Sequence, residues 1–259
     1  MAELRNYQTR VATAGTRADA SIDQGLRAYM VKVYNLMAIG LVITGLAAVG
    51  TVMMATTTDP ASAVATMSNG RMLTSFGMAI FASPLKWVVM LAPLAFVFFL
   101  SFRVHTMSVS AAQATFWAFA AVMGISLSSI FLVYTTASIV QTFFITAASF
   151  GALSLWGYTT KTDLTGMGSF LIMGVFGLII AMLVNIFLQS SALQFAISAI
   201  GVLVFAGLTA YDTQKIKEMY YEGDDAMVAG RKAIMGALRL YLDFINLFTF
   251  LLQFMGNRN

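Results

Sequence analysis

The chain has no cysteine, one histidine and three prolines, and only 10% of its residues are charged. Without cysteine there are no disulfides, Fe–S clusters or thiolate zinc sites. A lone histidine, His105, argues against a haem or an imidazole-based metal centre. A soluble domain ordinarily carries charge on about a quarter of its residues, so this chain cannot cover a soluble surface. What it has instead is 59% hydrophobic residues and a mean hydropathy of +0.81. A bilayer solvates such a surplus, and the expected fold class is an all-α membrane protein.

Two abundant features invite functional readings. The 18 methionines could be soft metal ligands, but they are scattered through apolar stretches, where Met fills gaps between helices. The net charge of +4 could suggest nucleic acid, but no basic run with interleaved aromatics occurs. An excess of Lys and Arg in cytoplasmic loops is the better account, with no nucleic-acid partner.

Met1 to Met30 is mixed polar, with Glu3, Arg5, Arg10, Arg17, Asp19, Asp23 and Arg27. It has neither the apolar core nor the small-residue cleavage site of a signal peptide. It reads as a cytoplasmic N-terminal tail over 1–30, ahead of a transmembrane domain over 31–259. A spanning helix needs about 20 apolar residues, and seven stretches qualify, roughly 33–55, 86–103, 109–133, 138–158, 168–189, 193–211 and 233–255. Lys86-Trp87 and Trp156 with Tyr158 mark headgroup levels, and Pro93 is a potential kink in the second span. The third and fourth spans, and the fifth and sixth, are joined so tightly that they must be antiparallel neighbours. Asp59-Pro60 and Asn69-Gly70 signal turns in the polar stretch 56–85.

With the N-terminus inside, the inner segments hold Arg5, Arg10, Arg17, Arg27, Lys32, Arg103, Lys161, Lys215, Lys217, Arg231 and Lys232, and the outer ones only Arg71, Lys86 and Arg258. The bias predicts N-in, C-out with seven spans. Six spans and a re-entrant last segment is the competing topology, because charge interrupts that segment.

Ionisable groups within a membrane are expensive, so each is a functional hypothesis. Asp243 stands mid-way along the last span in Leu240-Tyr-Leu-Asp-Phe-Ile-Asn-Leu-Phe248, and Asp212 at the end of the sixth in Ala210-Tyr-Asp-Thr-Gln-Lys-Ile-Lys217. Arg239 precedes Asp243 by one turn on the same helix face, and Arg103 ends the second span. Plainer readings compete with function. Arg239 and Asp243 can be a structural ion pair, Asp212 can simply begin a solvated loop, Arg103 can snorkel to the interface, and His105 can be an interface residue with no role. Asn185 and Asn246 suit interhelical hydrogen bonds. The functional reading pairs Asp212 with Asp243. Two carboxylates brought close share a proton and titrate as a unit, which would make a proton-sensitive latch between the last two spans. Carboxylates with nearby carbonyl oxygens also suit transient contact with a hard cation such as Ca²⁺.

Those two motifs together resemble the Bax inhibitor-1 (transmembrane Bax inhibitor motif) family, from about residue 30 to the end, and the chain looks like a bacterial member. The resemblance implies seven transmembrane helices with the last helix central in the bundle, and a pH-sensitive Ca²⁺ leak in the bacterial inner membrane with no resident cofactor. It implies that Asp212 and Asp243 form the sensing pair, with Arg103 in support; Arg239, from its place one turn before Asp243, is the other supporting candidate. It also implies, for a bacterial member, a membrane-anchored quality-control protease as partner. An acidic residue found in the second span of some relatives is missing here, where 87–102 holds none.

An enzyme is not expected. Intramembrane aspartyl proteases also share a proton between two carboxylates, but their Gly-x-Gly-Asp motif is absent, the nearest run being Tyr221-Glu-Gly-Asp224. No phosphate loop, dinucleotide fingerprint, zinc-hydrolase helix or nucleophile elbow occurs. A regulator that binds other membrane proteins is the remaining class.

Overall fold

The computed structural model describes residues 23–67 and 70–258 in full and, for residues 2–22, the helical backbone alone. Lipid offers backbone groups no water to bond with, so a spanning segment must satisfy them within itself. Seven helices do so: α1 (Ala2–Ala55), α2 (Leu85–Arg103), α3 (Val109–Leu127), α4 (Thr136–Thr159), α5 (Thr165–Leu188), α6 (Ser191–Glu218) and α7 (Ala226–Met255). Each carries a stretch long and apolar enough to cross a membrane. The protein is an all-α integral membrane protein, and its last span is one continuous helix.

Helix starts follow their capping residues. Ser108, Thr135, Ser190 and Asp225 each accept, through the side chain, a backbone N–H in the first turn of α3, α4, α6 and α7, which satisfies donors that a helix leaves free. Between α5 and α6 the chain reverses in two residues. Gln189 ends α5 in the left-handed region at φ 47°, and Ser190 at once caps α6.

The stretch between α1 and α2 is not merely polar loop. Thr56–Thr57 (β1), Ala65–Thr66 (β2) and Met72–Leu73 (β3) form a small antiparallel sheet in the order β1-β3-β2. Gly70 turns the hairpin with φ +80°, the left-handed backbone that glycine adopts without penalty. Asn69 of the expected turn lies outside the described residues. The polar residues between the expected sixth and seventh spans, 212–232, are not all loop: α6 continues to Glu218 and α7 begins at Ala226. Gln214, Lys215, Lys217 and Glu218 are good helix formers, and a helix does not have to stop where the hydrocarbon stops.

Burial divides the helices unequally. In α7, 72% of the most apolar stretch is buried inside the bundle, against 11% for α2 and α5. α7 packs on α6, α1, α4 and α3. Tyr241, fully buried, sets its edge to Phe116 and Phe119 of α3 and is hydrogen-bonded to Thr44 of α1 at 2.6 Å. Thr44 has one proton and gives it to a backbone carbonyl of Gly40 or Ala120, so Tyr241 is the donor. Phe244 and Phe248 meet Phe143 of α4, and Phe244 also meets Phe150.

α4 and α6 approach backbone to backbone at Gly157, where an added Cβ would lie 2.2 Å from the carbonyl oxygen of Ala210. Gly157→Val must therefore push α6 away just before Tyr211 and Asp212. The expected cost is about 1–3 kcal/mol, read as a lower melting temperature of the purified protein in detergent. An unchanged melting temperature would show that the two helices have room to part.

Candidate functional site: a carboxyl pair between α6 and α7

The segment 210–217 of α6 is tied to its neighbours residue by residue. Tyr211 lies on Gly168 of α5, where any Cβ would meet its ring. Thr213 donates to the Thr209 carbonyl at 2.7 Å, so Ser154 of α4 must donate to Thr213 (2.9 Å) and Tyr34 of α1 to Ser154 (2.6 Å). Gln214 holds the α4–α5 connection, its Oε1 accepting the Leu164 N–H at 2.9 Å and its Nε2 donating to the Thr162 carbonyl at 2.8 Å. Lys217 donates to the Tyr158 carbonyl at 2.8 Å. These contacts fix the rotation of α6, and with it the direction of Asp212, which is turned towards α7.

Asp243 is 4% exposed, and its carboxyl interacts with that of Asp212. Asp243 Oδ2 is buried with no hydrogen-bond partner among the described residues. Two ionised carboxylates offer each other no donor, whereas one proton placed between them supplies the missing hydrogen bond. Arg239 Nη1 stands 3.8 Å from Asp212 Oδ1, with about half of the Arg239 side chain exposed. Among the described residues, then, Arg239 forms its ion pair with Asp212 across the helix interface and not with Asp243 on its own helix. The pair has one deep member with no cation at salt-bridge distance and one shallower member beside a guanidinium.

Arg103 ends α2 exposed, with no ion pair to either carboxylate among the described residues. His105 sits exposed in the turn after it. Asn185 does bridge helices, donating to Gln194 of α6 at 3.1 Å. Asn246 does not: its Nδ2 donates to the Leu242 carbonyl of its own helix at 2.9 Å, which a half-buried amide can reach without a partner helix. Among the described residues no group of three or more His, Asp and Glu side chains gathers. The cluster is thus two carboxyls and a guanidinium, suited to brief contact with a passing cation and to holding a proton.

The sequence reading did not single out Gln214, Ser154 or Tyr34. Gln214 lies inside a quoted motif and a buried glutamine beside a loop is a recognisable signal, but the two hydroxyls look like any others on apolar helices.

The family model for the inhibitor of apoptosis-promoting Bax1 matches residues 26–259. Among similar proteins, the uncharacterized protein RP147 of Rickettsia prowazekii is 48% identical over 94% of this chain and 95% of its own length. An uncharacterized protein of Caulobacter vibrioides is 47% identical over 93% and 92% of the two chains. The inner membrane protein YbhL of Escherichia coli K12 is 44% identical over 90% and 93%.

A buried carboxyl oxygen without a donor costs about 1–3 kcal/mol. Asp243→Asn places a permanent amide donor at the unpartnered position. The variant is expected to melt at the same temperature as the parent or higher. A sharp fall would mean that the pair holds the fold together rather than being tolerated for another purpose.

Proposed function

Because the chain belongs to the Bax inhibitor-1 family, we propose that it is a pH-sensitive Ca²⁺ leak channel whose closed state is held by the Asp212–Asp243 pair. One observation carries this reading: a carboxyl buried mid-way along a membrane helix, facing a second carboxyl, with an oxygen that has no hydrogen-bond donor among the described residues. Intramembrane acids mark ion and proton paths.

The latch works through its proton count. With one proton between them, Asp212 and Asp243 are bridged, and the remaining negative charge attracts Arg239. A second proton removes the charge that Arg239 is attracted to and leaves two neutral acids with a weaker hold on each other. Acid therefore favours separation of α6 from α7 and the conducting form. Ca²⁺ is the cargo, met in passing by carboxylate and carbonyl oxygens. In this reading the N-terminus is cytoplasmic and the C-terminus outside, supported by the Lys and Arg excess of the inner segments. The membrane is the bacterial inner membrane, on the name of the Escherichia coli relative.

A second reading, a regulator that binds other membrane proteins such as a quality-control protease, is favoured by α2 and α5. Their most apolar stretches are 11% buried, which leaves long faces open to a partner helix as well as to lipid.

The deciding measurement is Ca²⁺ flux into liposomes holding the purified protein, from about pH 6 to about pH 8, for the parent and Asp243→Asn. The parent is expected to conduct more at acid pH, and the variant to show a changed dependence, because the amide does not titrate and Asp212 is left to titrate alone beside Arg239. Outside the spans, Asp163 is held below the usual carboxylate range by hydrogen bonds from the Thr165 hydroxyl and N–H, so it stays ionised across the window and adds no step. No flux at any pH from folded protein would favour the partner-binding regulator. Flux with an unchanged pH profile in the variant would remove the pair as the latch.

A further inference from the structure

The other end of the bundle carries a polar site that the carboxyl pair does not involve. There, α5, α6 and α7 meet through a chain of side-chain amides, and the chain has a direction. The Ser190 N–H in the α5–α6 turn donates to Asn185 Oδ1 at 3.0 Å. A backbone N–H can only donate, so the Asn185 oxygen is fixed and its Nδ2 is turned to Gln194 Oε1, at 3.1 Å. That leaves Gln194 Nε2 to donate to Gln253 Oε1, at 2.8 Å. Every acceptor in the chain is used, and it ends on Gln253 Nε2, a donor with no acceptor among the described residues.

Gln253 lines a pocket of about 460 Å³ together with Arg258, Tyr134, Met182 and Ile186. Arg258 is held in place: it bridges Tyr134 in antiparallel fashion, and its Cζ lies 5.8 Å from the centre of the Tyr134 ring. Next to it, the Thr135 N–H donates to the Asn257 carbonyl at 3.0 Å and the Asn257 N–H to Ser138 Oγ at 2.9 Å. No carboxylate forms an ion pair with Arg258 among the described residues. The polar end of the pocket thus offers a guanidinium and an unspent amide donor, the combination that a phosphate oxygen takes up.

The other wall is of a different kind. Met182 and Ile186 are 37% and 64% exposed on α5, a helix that turns most of its surface to the hydrocarbon. Donors stand where the helices end, at headgroup level, and the apolar wall runs inward from them. A free phosphate would use the first half of this surface and leave the second idle. A glycerophospholipid uses both.

We propose that this pocket binds an anionic phospholipid, its phosphate held by Arg258 and Gln253 and an acyl chain lying along Met182 and Ile186. Gln253 is about 15 Å along α7 from Asp243, so the two sites share no residue, and this one does not depend on the leak being correct. Seated there, the lipid would tie the end of α7 to α5.

The full chain in detergent, titrated with phosphatidylglycerol and with phosphatidylcholine under native mass spectrometry, tests this. Phosphatidylglycerol is expected to be retained about tenfold better, and Arg258→Ala and Gln253→Glu are each expected to remove that preference. Excess inorganic phosphate should not displace the lipid. Equal retention of the two lipids, or a preference that survives Arg258→Ala, overturns the proposal. Displacement by inorganic phosphate also overturns it and reassigns the pocket to a soluble anion. Arg258 is exposed near the chain end and its replacement leaves the bundle intact, so it decides the matter even if Gln253→Glu does not fold.

Discussion

A carboxyl buried in a membrane helix has to meet a polar group on another helix, and the one Asp243 meets is Asp212. Much else in the arrangement of α6 serves that meeting. Tyr211 lies on bare Gly168, Gln214 fastens the α4–α5 connection, and Thr213 receives the hydroxyl relay from α1 through α4. If α6 turned by a single residue, about 100° of helix rotation, Asp212 would turn away from α7 and Asp243 would lose its partner. The contacts around the pair are therefore as much about direction as about cohesion. They let a costly group persist by allowing it only one partner.

The same economy separates helices that carry chemistry from helices that carry lipid. α7 places most of its surface inside the bundle, while α2 and α5 face outwards along their length. Aromatic edges from α3 and α4 grip α7 above and below Asp243, so motion at the pair is more easily accommodated by the polar side of the α6–α7 contact than by the aromatic side.

Much of this was legible in the sequence, for physical reasons. Apolar runs of bilayer length are hard to produce by accident, so the seven spans could be counted. An aspartate within such a run stands out, so Asp212 and Asp243 could be paired. The misreadings have one cause, that polarity along a chain does not reveal depth or facing. The sixth span was expected to end at about residue 211, yet α6 carries on to Glu218. Asn246 looked like an interhelical donor and bonds its own helix. The sheet over 56–73 left only turn signals, because strands of two residues have no periodicity to detect. Gln194 and Gln253 lie in different helices with no spacing that relates them, and their junction with Asn185 exists only once the bundle is assembled.

The lengths of the helices carry a consequence of their own. From Asp23, α1 offers 33 residues, α6 28 and α7 30, against 22 to 25 for the spans between. At about 1.5 Å per residue the three long helices reach some 40–50 Å, and a hydrocarbon core takes up about 30 Å. The start of α1, the end of α6 and the start of α7 all lie on the same side. Their surplus turns stand together there, with the Tyr29 and Tyr220 rings packed 5.7 Å apart and Lys232 paired to Asp224. The surplus is one-sided: helical turns extend past the hydrocarbon on that side, while the other side, among the described residues, carries short connections, short helical turns and a small sheet. Whatever approaches from that side meets polar turns continuous with the two helices that carry Asp212 and Asp243.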